Sequence, residues 1–403
     1  MTGIGIPANL KTLDALFLLT LFLYPFSAAS HTLYMIPQFL LLALGLILLP
    51  RWAAPNESLM KAAVCGLAIV SASTAIFREL AADRPEFLEP VKLFINLSTV
   101  LLFLFLRPSL DSSTCAKWLK RFAVVWLVIV AGAYIHARTS SWEMLLLLLQ
   151  PEGVTSTRLY EIAEPLAPIF LTKNIMAMYL VAVFGAFLYF RRRAGDAVTL
   201  LERALFLILI VLLFSRQGIL SAVLLLSLDY FLTRERKMKR WVFIGLIITV
   251  VIVGSFITFA FDFSNPADGA ATRLDLWRVF FTHWTSYAFV GQGVHQMNLS
   301  LQHLDIDNYH MFFMNQIGAY GIVHCVAFNA LLTIIALRSL PKKSRWLVIA
   351  PYWLNVCFQT YGYEYGNLFL FCIAANGCNL GVDQVSELSK SRVYRLDDPL
   401  RVN

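Results

Sequence analysis

Two arginines stand out, one at membrane depth between apolar runs and one in a long polar stretch. Arg216 lies in LLFSRQGIL, at the junction of two apolar runs, and Arg273 lies in TRLDLWRVFFTHW. A guanidinium at membrane depth costs several kcal/mol and marks a functional position by default. Its planar fork forms two parallel charge-assisted hydrogen bonds to phosphate oxygens, so anion binding is the chemistry to look for. Arg158 and Lys173 flank EIAEPLAPIFLTKN, and Asn174 stands just inside the next apolar run, where a polar amide has to find a partner. Plainer readings compete at each position. Arg216 could snorkel from a helix end. Arg158 has Glu161 and Glu164 as local partners. Arg278 fits a lipid headgroup contact better than Arg273 does. Ser215 and Gly218 beside Arg216 would let the backbone turn tightly and bring a ligand close.

A second group could move protons. The stretch DNYHMFFMNQIGAYG places Asp307 and His310 three apart, on one face of a helix start. Asp307 or Asn308 is also a good N-cap for the helix that follows. A histidine at that position can serve as a general base near neutral pH, or as an interfacial hydrogen-bonding residue. Glu364, in YGYEYGN, is a second candidate carboxylate, against an ordinary tyrosine-rich interfacial turn. Gly318 and Gly321 form a GxxG step that reads as close helix packing. His283, His295 and His303 have no ligand spacing, and neither do the six cysteines, so no metal site is expected.

The elements that must position these groups are apolar helices. The chain has 403 residues, 59% of them hydrophobic and only 14% charged, with mean hydropathy +0.68. Runs long enough to cross a ~30 Å hydrocarbon layer recur from end to end. The expected fold is all-α, a single polytopic membrane domain over 1–403. About twelve spans are expected, near 13–29, 33–50, 62–77, 93–106, 122–136, 166–190, 204–215, 217–232, 241–261, 311–337, 346–362 and 366–380. With the N-terminus cytoplasmic, most of the 33 basic residues fall on inner loops. The net charge of +8 is therefore largely topological, and no nucleic-acid partner is implied. Arg78, Arg84, Lys92, Arg138, Arg158, Lys173, Arg216, Arg273 and Arg278 fall on the outer side, against that rule. Arg78, Arg84 and Lys92 share a loop with Glu79, Asp83, Glu86 and Glu89, which solvated ion pairing explains.

The region 262–310 is a long polar loop between the ninth and tenth spans, too aromatic and apolar to be disordered. Leu274, Trp277, Phe281 and Trp284 recur in it at helical spacing, which predicts an amphipathic helix in the interface with its tryptophans at headgroup level. Arg273 would stand on its first turn, near the positive end of the helix dipole, where an anion is welcome. The region 380–403 reads as a short cytoplasmic tail.

The second half of the chain resembles the bacterial O-antigen polymerase and O-antigen ligase superfamily. The resemblance rests on five pieces in order: Arg158-Leu159 followed by Lys173-Asn174; Ser215-Arg216-Gln217-Gly218; Thr272-Arg273 with Trp277; Phe289-Val290-Gly291-Gln292-Gly293; and Asp307-Asn308 with Gly318 and Gly321. The histidine of the ligase-type motif is Asp307 here, and His310 stands three residues later. An Asp-Asn start is associated with polymerases.

The resemblance implies a metal- and cofactor-independent glycosyltransferase of the GT-C type in the bacterial inner membrane, with its site facing the periplasm and both termini cytoplasmic. Its donor would be an undecaprenyl-pyrophosphate-linked oligosaccharide. Arg216 and Arg273 would bind the pyrophosphate and stabilise it as leaving group. Arg158, Lys173, Asn174, Trp277, Arg278, Asn308 and Glu364 would line the substrate site. Asp307 or His310 would take the acceptor's proton. A polymerase extends another lipid-linked repeat unit, with a chain-length regulator as a further partner. A ligase transfers the chain to lipid A-core. A transporter or flippase of an anionic lipid-linked substrate is the alternative from another class, and it predicts an internal repeat and midplane charges that the sequence lacks.

Overall fold

The computed structural model describes residues 8–28, 33, 35–52, 58–106, 110–140, 142–144, 156–170, 172–233, 269–304, 306, 308–342, 344–359 and 362. Their regular structure is all helical, with turns between the helices and no strand among them. The helices are α1 (Ala8–Leu23), α2 (Met35–Trp52), α3 (Ser58–Leu80), α4 (Leu88–Phe105), α5 (Ser112–His136), α6 (Ser156–Ile162), α7 (Lys173–Arg193), α8 (Leu200–Val211), α9 (Arg216–Thr233), α10 (Gly269–Tyr287), α11 (Val294–Leu301), α12 (Phe312–Ser339) and α13 (Trp346–Phe358). Among the described residues, five stretches are long and apolar enough to cross a membrane: Leu59–Leu80, Leu88–Phe105, Ser112–His136, Lys173–Arg193 and Phe312–Leu337. Met35–Leu49 and Trp346–Cys357 are apolar but shorter. The expected spans 241–261 and 366–380, and the tail 380–403, lie outside the described residues. α8 has 12 residues, against the ~20 that a full crossing requires.

α7 is the axis of the bundle. Every residue from Met176 to Phe190 is buried, as befits a helix apolar on all sides. α5, α9 and α13 pack around it. Two glycines set the closest approaches. A Cβ on Gly218 of α9 would stand 2.7 Å from the Cβ of Ala177, and one on Gly185 would stand 2.2 Å from the Leu347 carbonyl of α13.

Side-chain bonds fix which helix ends lie together. The Tyr179 hydroxyl donates to the Leu21 carbonyl (2.5 Å), Tyr134 to Leu212 (2.7 Å) and Tyr24 to Asn96 Oδ1 (2.9 Å). Lys173, at the start of α7, also reaches the Phe214 carbonyl of the α8–α9 turn, so the ends of α1 and α5, the start of α7 and that turn share one end, called here the upper end. At the lower end Lys120, Arg191, Arg192 and Arg203 are matched by acids. Asp229, 2% exposed, accepts from Arg192 Nε at 2.9 Å and from Arg203 Nη2 at 3.1 Å. Glu202 accepts from Arg191 Nη2 at 2.5 Å and Lys120 Nζ at 3.2 Å.

α12 lies along α3 and is broken near its upper end. Gly321 has φ 87° and ψ 172°, outside any helix. The break frees backbone groups, and the segment after α10 takes them up. Gln292 N donates to the Gly318 carbonyl and Gly293 N to the Ala319 carbonyl, both at 2.9 Å, and Ile322 N donates to the Ala288 carbonyl at 2.7 Å. The GxxG step expected to pack two helices is thus a socket for the Gly291–Gly293 loop. Gly318 alone behaves as a packing glycine, against Tyr309 and Met297.

Candidate functional site

The site is built where α7 and α9 both begin. Thr172 caps α7 by accepting from Ile175 N at 3.2 Å, and Ser215 accepts from Gly218 N at 3.3 Å at the head of α9. Two helix N-termini therefore open toward one place, each with the partial positive charge of its free N–H groups. Arg216 is the first residue of α9. The sharp turn ahead of it is made at Phe214, with φ 50°. It is not made at Gly218, whose role is to let α9 approach α7.

Lys173, the first residue of α7, is 6% exposed. Its ammonium donates to the Phe214 carbonyl at 3.2 Å and lies 4.3 Å from the centroid of the Tyr160 ring. No carboxylate among the described residues bridges to it, and the charge of Arg216 is near enough to repel it. A buried ammonium held only by a carbonyl and a ring face is costly, and an added anion relieves that cost. The contrast with the matched charges of the lower end is plain.

Asn174 uses both ends of its amide. Nδ2 donates to the Tyr160 hydroxyl at 2.7 Å, and Oδ1 accepts from Ser215 Oγ at 2.8 Å. A relay thus runs Tyr160–Asn174–Ser215–Gly218, tying α6 to the starts of α7 and α9. The partner that the sequence demands for Asn174 is supplied twice. Tyr160 is 47% exposed, with its hydroxyl held in the relay. Burial of that end pushes the phenol above its usual range, and Arg273 and the Asn174 hydrogen bond pull part of the way back. Arg273 of α10 is therefore close to Tyr160. Lys173, Asn174, Arg216 and Arg273, far apart in the chain, are brought together, with Tyr160 as a member that the sequence reading omits.

Other expected residues are placed differently. Arg158 is exposed and ion-paired to Glu143 and Glu161. Arg278 is also exposed, 2.9 Å from Asp275 Oδ1. α10 begins at Gly269, so Arg273 stands on its second turn rather than its first. On α10 the residues against the protein are Leu276, Phe280 and Tyr287. Leu274, Phe281 and Trp284 of the predicted apolar stripe are exposed, and Trp277 is half-buried against the core with its indole N–H unpartnered among the described residues. That stripe is available to lipid, as an interfacial helix requires.

Asp307 and Glu364 lie outside the described residues. The expected helix start at Asp307 or Asn308 is displaced, because α12 is capped at Met311. Asn308 Oδ1 instead accepts from His310 N at 2.9 Å, in a local turn where His310 has φ 50°. Asn315 closes the turn from inside α12 by accepting from Tyr309 N at 2.8 Å. His310 is thus fixed on a tight turn, not on a helical face.

Glu79 is a further departure. It does not join solvated ion pairs. It is 0% exposed and accepts from the Val294 and Glu86 amides. Lys92 and Glu89 do pair, at 2.7 Å.

Comparison with protein-family models and with curated proteins finds no match.

Proposed function

We propose that the protein is a polytopic membrane glycosyltransferase that polymerises a surface polysaccharide, O-antigen or a related glycan. In this reading the chain crosses the bacterial inner membrane about twelve times with both termini cytoplasmic, and the upper end faces the periplasm. The observation that carries it is the convergence of Lys173, Arg216 and Arg273 on two helix N-termini, with Lys173 short of a counter-charge. Such a place takes a multiply charged anion reachable from the bilayer, and an undecaprenyl-pyrophosphate glycan has that form.

The reaction follows. An acceptor sugar hydroxyl attacks the anomeric carbon of the donor glycan. The bond from that carbon to the pyrophosphate oxygen breaks, and the pyrophosphate leaves with the electron pair. Lys173, Arg216 and Arg273 are set beforehand around the charge that develops on it, which lowers the barrier without reorganisation. The acceptor's proton goes to His310 or Asp307. Trp277, exposed Tyr160 and Asn308 offer surfaces for sugar rings. Arg158 and Arg278, exposed and paired with acidic neighbours, take no part in holding the pyrophosphate. The Asp307-Asn308 start favours another lipid-linked repeat unit as acceptor over lipid A-core.

Purified protein supplied with lipid-linked repeat units tests this directly. Chain extension is expected, with Arg216→Ala and Arg273→Ala each inactive. Normal extension by both variants sinks the pyrophosphate clamp. In a deletion strain, core bearing a single repeat marks a polymerase, and bare core marks a ligase. Movement of the lipid-linked unit across vesicles without bond formation marks a flippase.

A further inference from the structure

We infer that Glu79 is a positioning residue, whose buried carboxylate seats the α10–α11 segment and thereby sets the position of Arg273. The inference rests on the reading of Arg273 as a pyrophosphate ligand. Glu79 is the penultimate residue of α3 and has no exposed surface. A carboxylate so placed is costly unless its oxygens are engaged. Oε1 accepts from Val294 N at 2.9 Å and Oε2 from Glu86 N at 2.8 Å. Both donors are backbone amides. No basic side chain among the described residues bridges to it. Val294 is the first residue of α11, so the carboxylate also meets the positive end of that helix. Gly293, at φ 84°, makes the turn into α11 that presents Val294 N to the carboxylate, a conformation that suits glycine. Glu86 stands 3.4 Å from His295 Nδ1, a second link between the α3–α4 loop and α11.

The α10–α11 junction is thereby gripped from two sides. α12 holds Gln292 and Gly293 through the Gly318 and Ala319 carbonyls, and α3 holds Val294 through Glu79. α10 runs unbroken from Gly269 to Tyr287 and ends at this junction. At ~1.5 Å per residue, Arg273 lies roughly 20 Å along the rod from its seat. A tilt of about 5° about the seat would move that guanidinium by about 2 Å, and a misplacement of about 1 Å can cost on the order of 100-fold in rate. The first half of the chain contributes no recognisable motif, yet in this arrangement it supplies the anchor for a residue in the second half.

The test uses purified full-length protein in nanodiscs with lipid-linked repeat units. Glu79→Ala removes both acceptors. Glu79→Gln keeps one acceptor oxygen and turns an NH2 group toward the other amide. Val294→Pro deletes one donor only, at a first helical position where proline is accepted. In Glu79→Ala, kcat is expected to fall ~10- to 100-fold with little change in the donor KM, because the displaced group acts on the leaving group. Glu79→Gln and Val294→Pro should fall less. Amide hydrogen exchange should quicken in 291–301 while α3 and α7 keep their protection.

Wild-type turnover in Glu79→Ala and Val294→Pro, with Arg273→Ala inactive, overturns the positioning role and leaves the functional reading standing. Faster exchange spread evenly through α3, α7 and α12 also overturns it, since that marks general destabilisation. Normal turnover in Arg216→Ala and Arg273→Ala sinks the functional reading instead, and the exchange result then decides by itself whether Glu79 seats the segment.

Discussion

Replacing Gly321 by alanine should cost far more than replacing its motif partner Gly318. Gly321 sits at φ 87° and ψ 172°, a region open almost only to glycine, and forcing an L residue there costs ~1–3 kcal/mol. Its Cβ would also stand 2.2 Å from the Phe289 carbonyl oxygen and 2.6 Å from its carbon, backbone atoms that cannot swing aside. Relief requires residues 288–290 to withdraw, at the expense of the Ile322–Ala288 bond and one of its neighbours. Two such bonds are worth about 1–3 kcal/mol together. The sum is about 2–6 kcal/mol, a large part of the ~5–15 kcal/mol of a typical fold. With an unfolding entropy of about 2 cal/mol/K per residue, a chain of this size loses about 1 °C per kcal/mol, so the Tm should fall by about 2–6 °C. Thermal unfolding followed by tryptophan fluorescence in detergent measures it. Gly318→Ala meets only the side chains of Tyr309 (3.1 Å) and Met297 (3.2 Å) and should cost about 1 kcal/mol. Gly66→Ala meets nothing within 4 Å on α3 and should be neutral or stabilising by up to ~1 kcal/mol. Equal losses at Gly318 and Gly321 would refute the socket and restore simple helix packing.

Further outcomes follow from the same geometry. Asn174→Ala removes two hydrogen bonds and should cost about 2 kcal/mol in thermal or denaturant unfolding, while Tyr160→Phe removes one and should cost about half as much. Equal costs would show that the relay is not what Asn174 serves. Arg158→Ala, which loses only exposed ion pairs, should change stability by less than about 0.5 kcal/mol, and a tenfold drop in turnover would bring Arg158 into the site. Burial pushes the Glu202 carboxyl up, but the Thr199 amide, Arg191 and Lys120 outweigh it and hold it below the usual range. Its contribution to stability is therefore complete above about pH 4.3 and lost as pH falls through the lower folded value. Glu202→Gln should lower the Tm at neutral pH and flatten its acid limb, and an unchanged acid limb would contradict that sign.

Much of the helical framework can be read from the residues. Unbroken apolarity from Met176 to Phe190 marks a helix buried on every side, and α7 is that helix. Arg216, Lys173 and Asn174 stand out because charge and amide are costly beside apolar runs, and cost is a property of the residue itself. What escapes such reading depends on partners distant in sequence. Tyr160 looks like any interfacial tyrosine until the turn between α6 and α7 brings Asn174 onto its hydroxyl. Glu79 looks like one of four loop acids, and nothing local tells it from Glu89, which does pair with a lysine. The stripe from Leu274 to Trp284 has helical period, but period alone does not say whether protein or lipid covers it. Gly318 and Gly321 share a motif, and only the loop seated against them separates packing from a break.

The edge that α3 shows to α11 and α12 has a consequence for assembly in time. Glu79 bonds Val294, 215 residues later in the chain, and Ser71 meets the His324 ring at a separation of 253. At about 5–20 residues per second of synthesis, these groups wait on the order of tens of seconds for their partners. During that interval a polar edge on an apolar helix stands in or beside the bilayer with only water, headgroups or an insertion factor to satisfy it. α3 is thus inserted early and completed late, and the upper end of the molecule closes only when its second half arrives.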